Sequence, residues 1–276
     1  MVLASTAFKA GLSTEFAVDM TCESCVGAVK DALRDLPGIE RYDIELEDKR
    51  VTITGKTPPS QLLAALKSTE RQVLVRGSGA VDPSLPPQAA ISILESPISV
   101  PTTIAMALPE STKRELYGLQ DDEFTQKVFG IARFVQIAPR SILLDLTVRL
   151  PPSQNAFRAY VSKTGNLVDP PATTKGALVD LGTITPDKDG YGDLFKEVDG
   201  ELWEWIGRAC VVEQDGVEQK KDVPEGTPSF PAGSVFAGVV ARSAGTWGND
   251  KTVCACSGRT MWEEGREMEG RAKGML

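Results

Sequence analysis

The chain has 276 residues, of which 41% are hydrophobic and 25% charged, which predicts a globular protein long enough for two domains. Its formal net charge of −8 argues against nucleic acid or an anionic membrane surface as the main partner. Its five cysteines are accompanied by no histidine, which excludes histidine-dependent nucleophilic catalysis and most catalytic zinc, type 2 copper and non-haem iron sites.

Four of the five cysteines form two close pairs, which is unlike the disulfide framework of a small secreted protein. Such pairs indicate a reducing compartment, where thiols bind metal or exchange electrons. No apolar run approaches the roughly 18 residues that a membrane span needs, and residues 1–12 lack the apolar core of a signal peptide. We therefore expect a cytoplasmic protein without a membrane span, and the sequence leaves open whether a fraction reaches the mitochondrial intermembrane space.

Hydrophobic periodicity predicts a first domain over residues 12–76, preceded by a frayed tail. Its predicted elements are a strand, a helix, the two strands of a hairpin, a second helix and a short last strand, at about residues 14–20, 26–36, 43–47, 50–54, 60–66 and 72–75. This βαββαβ order predicts an α+β ferredoxin-like domain.

The segment Met20-Thr21-Cys22-Glu23-Ser24-Cys25 joins the first predicted strand to the first helix. Cys25 falls in the first helical turn, where backbone N–H groups and the helix dipole favour a thiolate. Two thiolates suit Cu(I), which is soft and accepts two sulfur ligands, whereas zinc needs four ligands. We expect Met20 to anchor the loop by packing and Arg71 to offset the negative charge of the Cu(I) dithiolate. The CxxC spacing alone does not require a metal site. It is also compatible with a redox pair or with two thiols buried as small apolar residues.

This segment resembles the MxCxxC motif of heavy-metal-associated domains, as found in small copper chaperones and at the N-termini of copper pumps. The resemblance covers about residues 12–76. It implies a Cu(I) site at Cys22 and Cys25.

Glycines and prolines mark residues 77–88 as a linker. From residue 89 onwards, short alternating apolar runs are separated by turn signals, and an acidic stretch at 99–126 is expected to be a short helix or a loop insertion. Further strands are predicted near 177–182, 206–213 and 235–242. The pattern predicts an all-β sandwich or Greek-key barrel over residues 89–245.

Three stretches of this second domain resemble Cu/Zn superoxide dismutase: DLGTITPDKDG at 180–190, IGRACVV at 206–212 and AGVV at 237–240. Where the enzyme has copper-ligand histidines, this chain has Phe157-Arg158-Ala159-Tyr160 and Glu213, so no dismutase activity is expected. Asp180 matches a zinc-ligand aspartate but lacks its histidine companions. Cys210 is predicted to be a small buried apolar residue.

The dismutase resemblance also implies a two-fold dimer interface that this domain could present to one enzyme subunit. On this chain it would include a loop at about 163–166 and the residues Trp205, Ile206, Gly207, Arg208, Gly238, Val240 and Arg242. Trp205 and Arg208 are residue types enriched at binding hot spots. The alternative is that Trp203 and Trp205 only cover their own core.

Residues 246–276 are predicted to be a flexible tail, because their apolar content is too low to fold alone. Cys254 and Cys256 can chelate Cu(I) together, or form a strained disulfide that exchanges readily with a partner's thiol. A Cys₄ zinc site built from both thiol pairs is possible on the cysteine count alone.

The segment ARSAG at 241–245, the Cys254-Ala255-Cys256 pair and Trp262-Glu263-Glu264 resemble the copper chaperones for superoxide dismutase, particularly the fungal members. This resemblance implies that the chain is no enzyme but delivers Cu(I) to Cu/Zn superoxide dismutase through a transient heterodimer and assists disulfide formation there. The alternative is a thiol-disulfide oxidoreductase with catalytic Cys254 and Cys256, in which the first domain senses copper. Homodimerisation of the free chain is left open.

Overall fold

The computed structural model describes residues 11–82, 84–85, 88–96, 128–150, 155–218, 229–231, 233–246, 260 and 262–263. The acidic stretch at 99–126 and both tail cysteines lie outside the described residues. No helix within the described ranges is long and apolar enough to cross a membrane.

The first domain is an antiparallel sheet packed against two helices, which confirms the predicted ferredoxin-like βαββαβ order. Its strands lie in the spatial order β2-β3-β1-β4. The elements are β1 (Leu12–Val18), α1 (Glu23–Arg34), β2 (Ile39–Glu45), β3 (Arg50–Gly55), α2 (Pro59–Lys67) and β4 (Val73–Ala80).

Alternate residues of β1 form the core of this domain. Phe16 and Val18 pack with Met20, Val29 and Leu66 in one buried cluster between the sheet and the helices. Met20 is fully buried there, which confirms that it anchors the loop by packing. Full burial of such a side chain contributes about 1.5–3 kcal/mol, so this cluster holds the loop in place.

The side of the sheet that points away from the helices, called the outer face here, carries Ser13, Glu15 and Ala17 of β1. Glu15 and Ala17 are fully buried, although alternation alone predicts that they face solvent. The Glu15 carboxylate lies 3.2 Å from Nε of Arg50 and 3.7 Å from Nη1 of Arg76, so two guanidinium groups balance its charge. The outer face is therefore covered in the folded chain.

Strand β4 continues to Ala80 and pairs with β1 from Leu12 onwards, so four residues expected in the linker belong to the sheet. Leu12, the first residue of the predicted domain, is buried in β1. Gly77 serves close packing, since a Cβ atom there would lie 2.2 Å from the carbonyl oxygen of Gly245. The division into domains at residues 77–88 stays a prediction.

The second domain is an antiparallel β-structure of nine strands within the described ranges, as the sequence predicts. The strands lie in the spatial order β10-β7-β6-β5-β12-β11-β8-β9, and β13 pairs with β5. The two edges approach each other, because a Cβ atom at Gly182 in β9 would touch Leu194 in β10 at 3.6 Å, which nearly closes the barrel. The elements are β5 (Ala89–Glu95), β6 (Val128–Ala138), β7 (Ser141–Arg149), β8 (Phe157–Ser162), β9 (Ala177–Ile184), β10 (Tyr191–Asp199), α3 (Leu202–Trp205), β11 (Ala209–Gln214), β12 (Val235–Val239) and β13 (Ala241–Ser243).

The barrel encloses its own hydrophobic core. Trp205 is fully buried in it and meets Phe134 edge-on, with ring centroids 5.6 Å apart. Cys210 is also fully buried in this core, which confirms its predicted role as a small apolar residue. A thiol without solvent contact takes no part in metal exchange.

The two domains contact each other through the start of α2. The buried carboxylate of Asp145 in β7 accepts hydrogen bonds from the Ser60 backbone N–H at 2.9 Å and from the Ser60 hydroxyl at 2.7 Å. Arg133 lies 3.5 Å from the same carboxylate. The residue before α2 is Pro58, which gives the helix no side-chain cap, so Asp145 caps α2 from the other domain. Burial raises the pKa of Asp145, which the donors from Arg133 and Ser60 oppose.

Candidate metal centre

The first thiol pair lies where β1 leads into α1. Cys22 is the residue before the helix and is exposed, whereas Cys25 lies in the first turn and is largely buried. Their sulfur atoms are 3.6 Å apart, and the Cys25 backbone N–H donates to the Cys22 carbonyl oxygen at 2.9 Å. The two thiols therefore face one point at the protein surface, and one of them is accessible from solvent.

Several donors surround the Cys25 sulfur. A backbone hydrogen bond from Thr21, a side-chain hydrogen bond from Arg71 and the Thr21 hydroxyl lower the pKa of Cys25 from 9.0 to about 6. Arg71 is itself fixed by a hydrogen bond from Nη1 to the Thr69 carbonyl at 2.8 Å. The expectation that Arg71 reaches the thiol pair is confirmed, and Cys25 is mostly a thiolate at neutral pH.

The Cys22 sulfur has a hydroxyl partner of its own. It lies 3.0 Å from Oγ of Ser24, and this hydrogen bond is the main reason why the pKa of Cys22 is lowered. The sequence gives no signal for the donors Thr21 and Ser24, because hydroxyl residues are common in loops next to any helix. Two activated thiolates can bind a soft monovalent cation by linear coordination.

The described residues offer this pair no further metal ligands in a cluster. Within the described residues, no group of three or more His, Cys, Asp or Glu side chains could hold a metal ion. The second predicted pair, Cys254 and Cys256, lies outside the described residues, and its metal-binding role stays a prediction. The described site is therefore a two-thiolate site, which fits Cu(I) better than Zn²⁺.

The barrel positions that resemble the metal site of the dismutase are occupied by pairs of oppositely charged or hydrogen-bonded residues. Arg158 donates from Nη2 to Asp180 at 2.9 Å, and the Tyr160 hydroxyl donates to Glu213 at 2.9 Å. Burial raises the pKa of both Tyr160 and Glu213, so the tyrosine stays protonated at neutral pH. Each polar group has a protein partner, so this cluster is satisfied without a metal.

The predicted partner surface is only partly exposed. Trp205 and Val240 are fully buried, which corrects their prediction as contact residues. Gly238 is buried against β5, because a Cβ atom there would lie 1.9 Å from the Ile93 carbonyl oxygen. The short helix α3 turns Trp205 inwards and leaves its neighbour Trp203 59% exposed.

The remaining members of this surface lie together. Gly207 and Arg242 are exposed, while Ile206 and Arg208 are half-buried. Loop 163–166 packs on them, because a Cβ atom at Gly165 would lie 2.0 Å from the Gly207 carbonyl oxygen. The residues Ile93 and Val239 lie opposite each other on β5 and β12 and are 47% and 40% exposed, so they add an apolar strip that the sequence analysis missed.

Comparison with known proteins matches residues 15–72 to the heavy-metal-associated domain family. The chain is 32% identical to the superoxide dismutase 1 copper chaperone of Debaryomyces hansenii, over 94% of this chain and 96% of that protein. It is 29% identical to the human copper chaperone for superoxide dismutase, over 94% of this chain and 91% of that protein. The copper(I)-loaded first domain of the human copper chaperone for SOD1 is 38% identical over 25% of this chain and 97% of that structure, with a TM-score of 0.24. The chain therefore belongs to the family of copper chaperones for superoxide dismutase.

Proposed function

We propose that this chain is a metallochaperone that binds Cu(I) at Cys22 and Cys25 and delivers it to Cu/Zn superoxide dismutase through a transient heterodimer. The observation that carries this proposal is the activated, solvent-accessible thiol pair on a chain of this family. Cys254 and Cys256 assist by taking up Cu(I) and by exchanging disulfides with the enzyme. The chain acts as a chaperone of the metal and not as a dismutase.

Copper moves by ligand exchange between thiolates. Cys22 is exposed, so an incoming thiolate can bind the metal and form a three-coordinate intermediate before one of the original ligands leaves. Arg71 remains at Cys25 and offsets part of the negative charge of the dithiolate. The metal is therefore tightly held at every stage, although each individual bond is exchangeable.

The barrel supplies the docking surface. The strip of Ile93 and Val239, bordered by Gly207, Arg208 and Arg242, has the apolar centre and charged rim of a protein interface. Arg208 is held in place by a hydrogen bond from Nε to the Glu204 carbonyl oxygen at 2.7 Å, so little side-chain entropy is lost on binding. Because Trp205 supports this surface from below, it contributes through packing and not through contact.

The test uses zinc-loaded, copper-free, disulfide-reduced dismutase mixed with this protein carrying Cu(I), in the presence of a strong Cu(I) chelator. Dismutase activity and disulfide formation are followed together. Wild type should activate the enzyme, whereas Cys22→Ser with Cys25→Ser should not. Val239→Glu should bind Cu(I) normally and fail to activate, because it places an unpaired charge in the centre of the interface.

Other outcomes decide between the alternatives. Disulfide formation that persists without copper in the Cys22→Ser, Cys25→Ser protein would favour the thiol-disulfide oxidoreductase. Activation by Val239→Glu at the wild-type rate would contradict the proposed docking surface. A cytoplasmic location is a further part of the proposal. Cell fractionation tests it and also decides whether a fraction enters the mitochondrial intermembrane space. Whether the free chain forms a homodimer is decided by sedimentation.

A further inference from the structure

The loop between strands β8 and β9, residues 163–176, carries the most exposed large apolar side chain within the described ranges. Val168 is 86% exposed, whereas its neighbour Leu167 packs against a buried cluster that includes Phe230. One exposed apolar side chain is by itself ordinary on a protein surface. Its capacity to bind a partner depends on whether the loop holds it in one position.

The residues on both sides of Val168 are fixed by hydrogen bonds. The Val168 N–H donates to Oδ1 of Asn166 at 3.0 Å, and the Asn166 carbonyl oxygen accepts from the Thr173 hydroxyl at 2.8 Å. The Asp169 N–H donates to the same hydroxyl at 3.1 Å, and the Asp169 carbonyl oxygen accepts from the Thr173 N–H at 2.9 Å. Thr173 therefore joins the two flanks of Val168 and closes the loop around it.

The carboxylate of Asp169 ties this loop to a distant segment of the chain. Its Oδ1 accepts from the Ser229 N–H at 3.2 Å, and its Oδ2 accepts from the Ser229 hydroxyl. Ser229 is buried and precedes Phe230, a member of the cluster against which Leu167 packs. These two hydrogen bonds, called the Asp169–Ser229 latch here, link residues 60 positions apart and oppose movement of the loop as a whole. The latch contains no thiol, so it is independent of the redox state.

The base of the same loop lies against the proposed docking surface. Arg208 donates from Nη1 to the Lys163 carbonyl oxygen, and Gly165 lies close against the Gly207 carbonyl oxygen. Val168 is three residues beyond Gly165, which places it at most about 11 Å from that contact. The exposed valine therefore lies at the margin of the docking surface.

We propose that Val168 is a further contact residue for superoxide dismutase, and that Asp169 is the positioning residue that holds it ready for binding. The inference rests on the proposed function, because it extends the docking surface proposed there. An apolar side chain gains free energy when a partner surface removes it from water. Because the latch fixes the loop beforehand, little conformational entropy is lost on binding.

The first test measures the dissociation constant between the full chain and zinc-loaded, copper-free, disulfide-reduced dismutase. Val168→Ser should weaken binding by about tenfold, the loss expected for a valine that becomes partly buried in the complex. Because Val168 is exposed in the free chain, the substitution should leave the fold intact. The control Tyr42→Ser removes an exposed apolar side chain from β2, at the edge of the first sheet opposite to β4, and should leave the dissociation constant unchanged.

The second test separates the latch from the charge of Asp169. Asp169→Ala should weaken binding by about fivefold, because the freed loop must then be ordered when the partner binds. It should also accelerate hydrogen–deuterium exchange in the peptide that covers residues 163–169. Asp169→Asn should keep the wild-type values of both, since its amide oxygen accepts from the Ser229 N–H and the Ser229 hydroxyl can accept from its amide nitrogen.

A wild-type dissociation constant for Val168→Ser would overturn the contact role. Unchanged exchange of residues 163–169 in Asp169→Ala would overturn the latch, as would a loss of binding in Asp169→Asn as large as that in Asp169→Ala. If wild type itself does not bind the dismutase, the proposed function is wrong and the contact role falls with it, while the exchange measurement still decides the latch. Normal binding by wild type and by Val168→Ser together removes the inference alone.

Discussion

At the scale of single residues, the three described thiols differ because their surroundings differ. Cys25 has several donors around its sulfur, and Cys22 has the Ser24 hydroxyl. Cys210 lies in the apolar core of the barrel, and burial raises its pKa to about 12. The same side chain is therefore an activated thiol in one strand–helix loop and an inert core residue in a strand.

Alkylation at different pH values should reveal this difference. In metal-free protein with Cys22→Ser, Cys25 keeps its donors from Thr21 and Arg71, so its reaction with iodoacetamide should reach half its maximal rate near pH 6. The rate rises with pH because only the thiolate reacts. Cys210 should stay unmodified until the protein is unfolded. Mass spectrometry of the individual cysteine peptides measures each rate.

Arg71→Met should move the Cys25 midpoint to higher pH, because it removes a donor and a positive charge from the thiolate. Lys30→Met removes an exposed cation from α1 and serves as the control, with no change in midpoint expected. Equal midpoints for wild type and Arg71→Met would show that Arg71 does not stabilise the thiolate.

At the scale of elements, the helices and strands of the first domain follow the hydrophobic pattern closely. The exception is β4, where the sequence predicts a hinge from glycines that in fact pair with β1. A glycine-rich stretch has no side chain whose periodicity would indicate a strand. The sequence therefore cannot distinguish a flexible glycine from one that allows another backbone to approach closely.

Gly77→Ala and Gly27→Ala should have opposite effects on stability. A Cβ atom at Gly77 would meet the Gly245 carbonyl oxygen at 2.2 Å, so we expect a loss of about 1–3 kcal/mol in the free energy of unfolding. A Cβ atom at Gly27 in α1 meets nothing within 4 Å. There alanine should stabilise the protein by up to about 1 kcal/mol through its helix propensity. Urea denaturation measures the free energy of unfolding of both variants. An unchanged free energy of unfolding for Gly77→Ala would refute the close contact.

At the scale of the whole molecule, the order of domains follows from the motifs, but the contacts between domains do not. Asp145 lies in an apolar strand, where the sequence alone gives no reason to expect a partner 85 residues earlier. The sequence also gives no reason for Trp205 to turn inwards, because Trp203 is the same residue type only two positions away and is exposed. Both depend on how finished elements pack, which local periodicity does not encode.

The Asp145 contact predicts a graded series of stabilities. Asp145→Ala should lower the free energy of unfolding by about 3 kcal/mol, because Arg133 is left without its buried counter-charge. Ser60→Ala removes one of the two donors from that residue and should cost about 1 kcal/mol. Ser68→Ala, at the exposed end of the same helix, should change the free energy of unfolding by less than about 0.5 kcal/mol. A loss for Asp145→Ala no larger than that for Ser68→Ala would contradict the interdomain cap.

The same cap has a consequence for how the chain matures on the ribosome. Ser60 is synthesised 85 residues before Asp145, so the N-terminus of α2 has no cap from β7 when the helix is made. Its final hydrogen bonds form only when β7 has been made and packed against it. The first domain is translated first, but its helix α2 therefore acquires its cap only after β7 of the second domain has been made and packed.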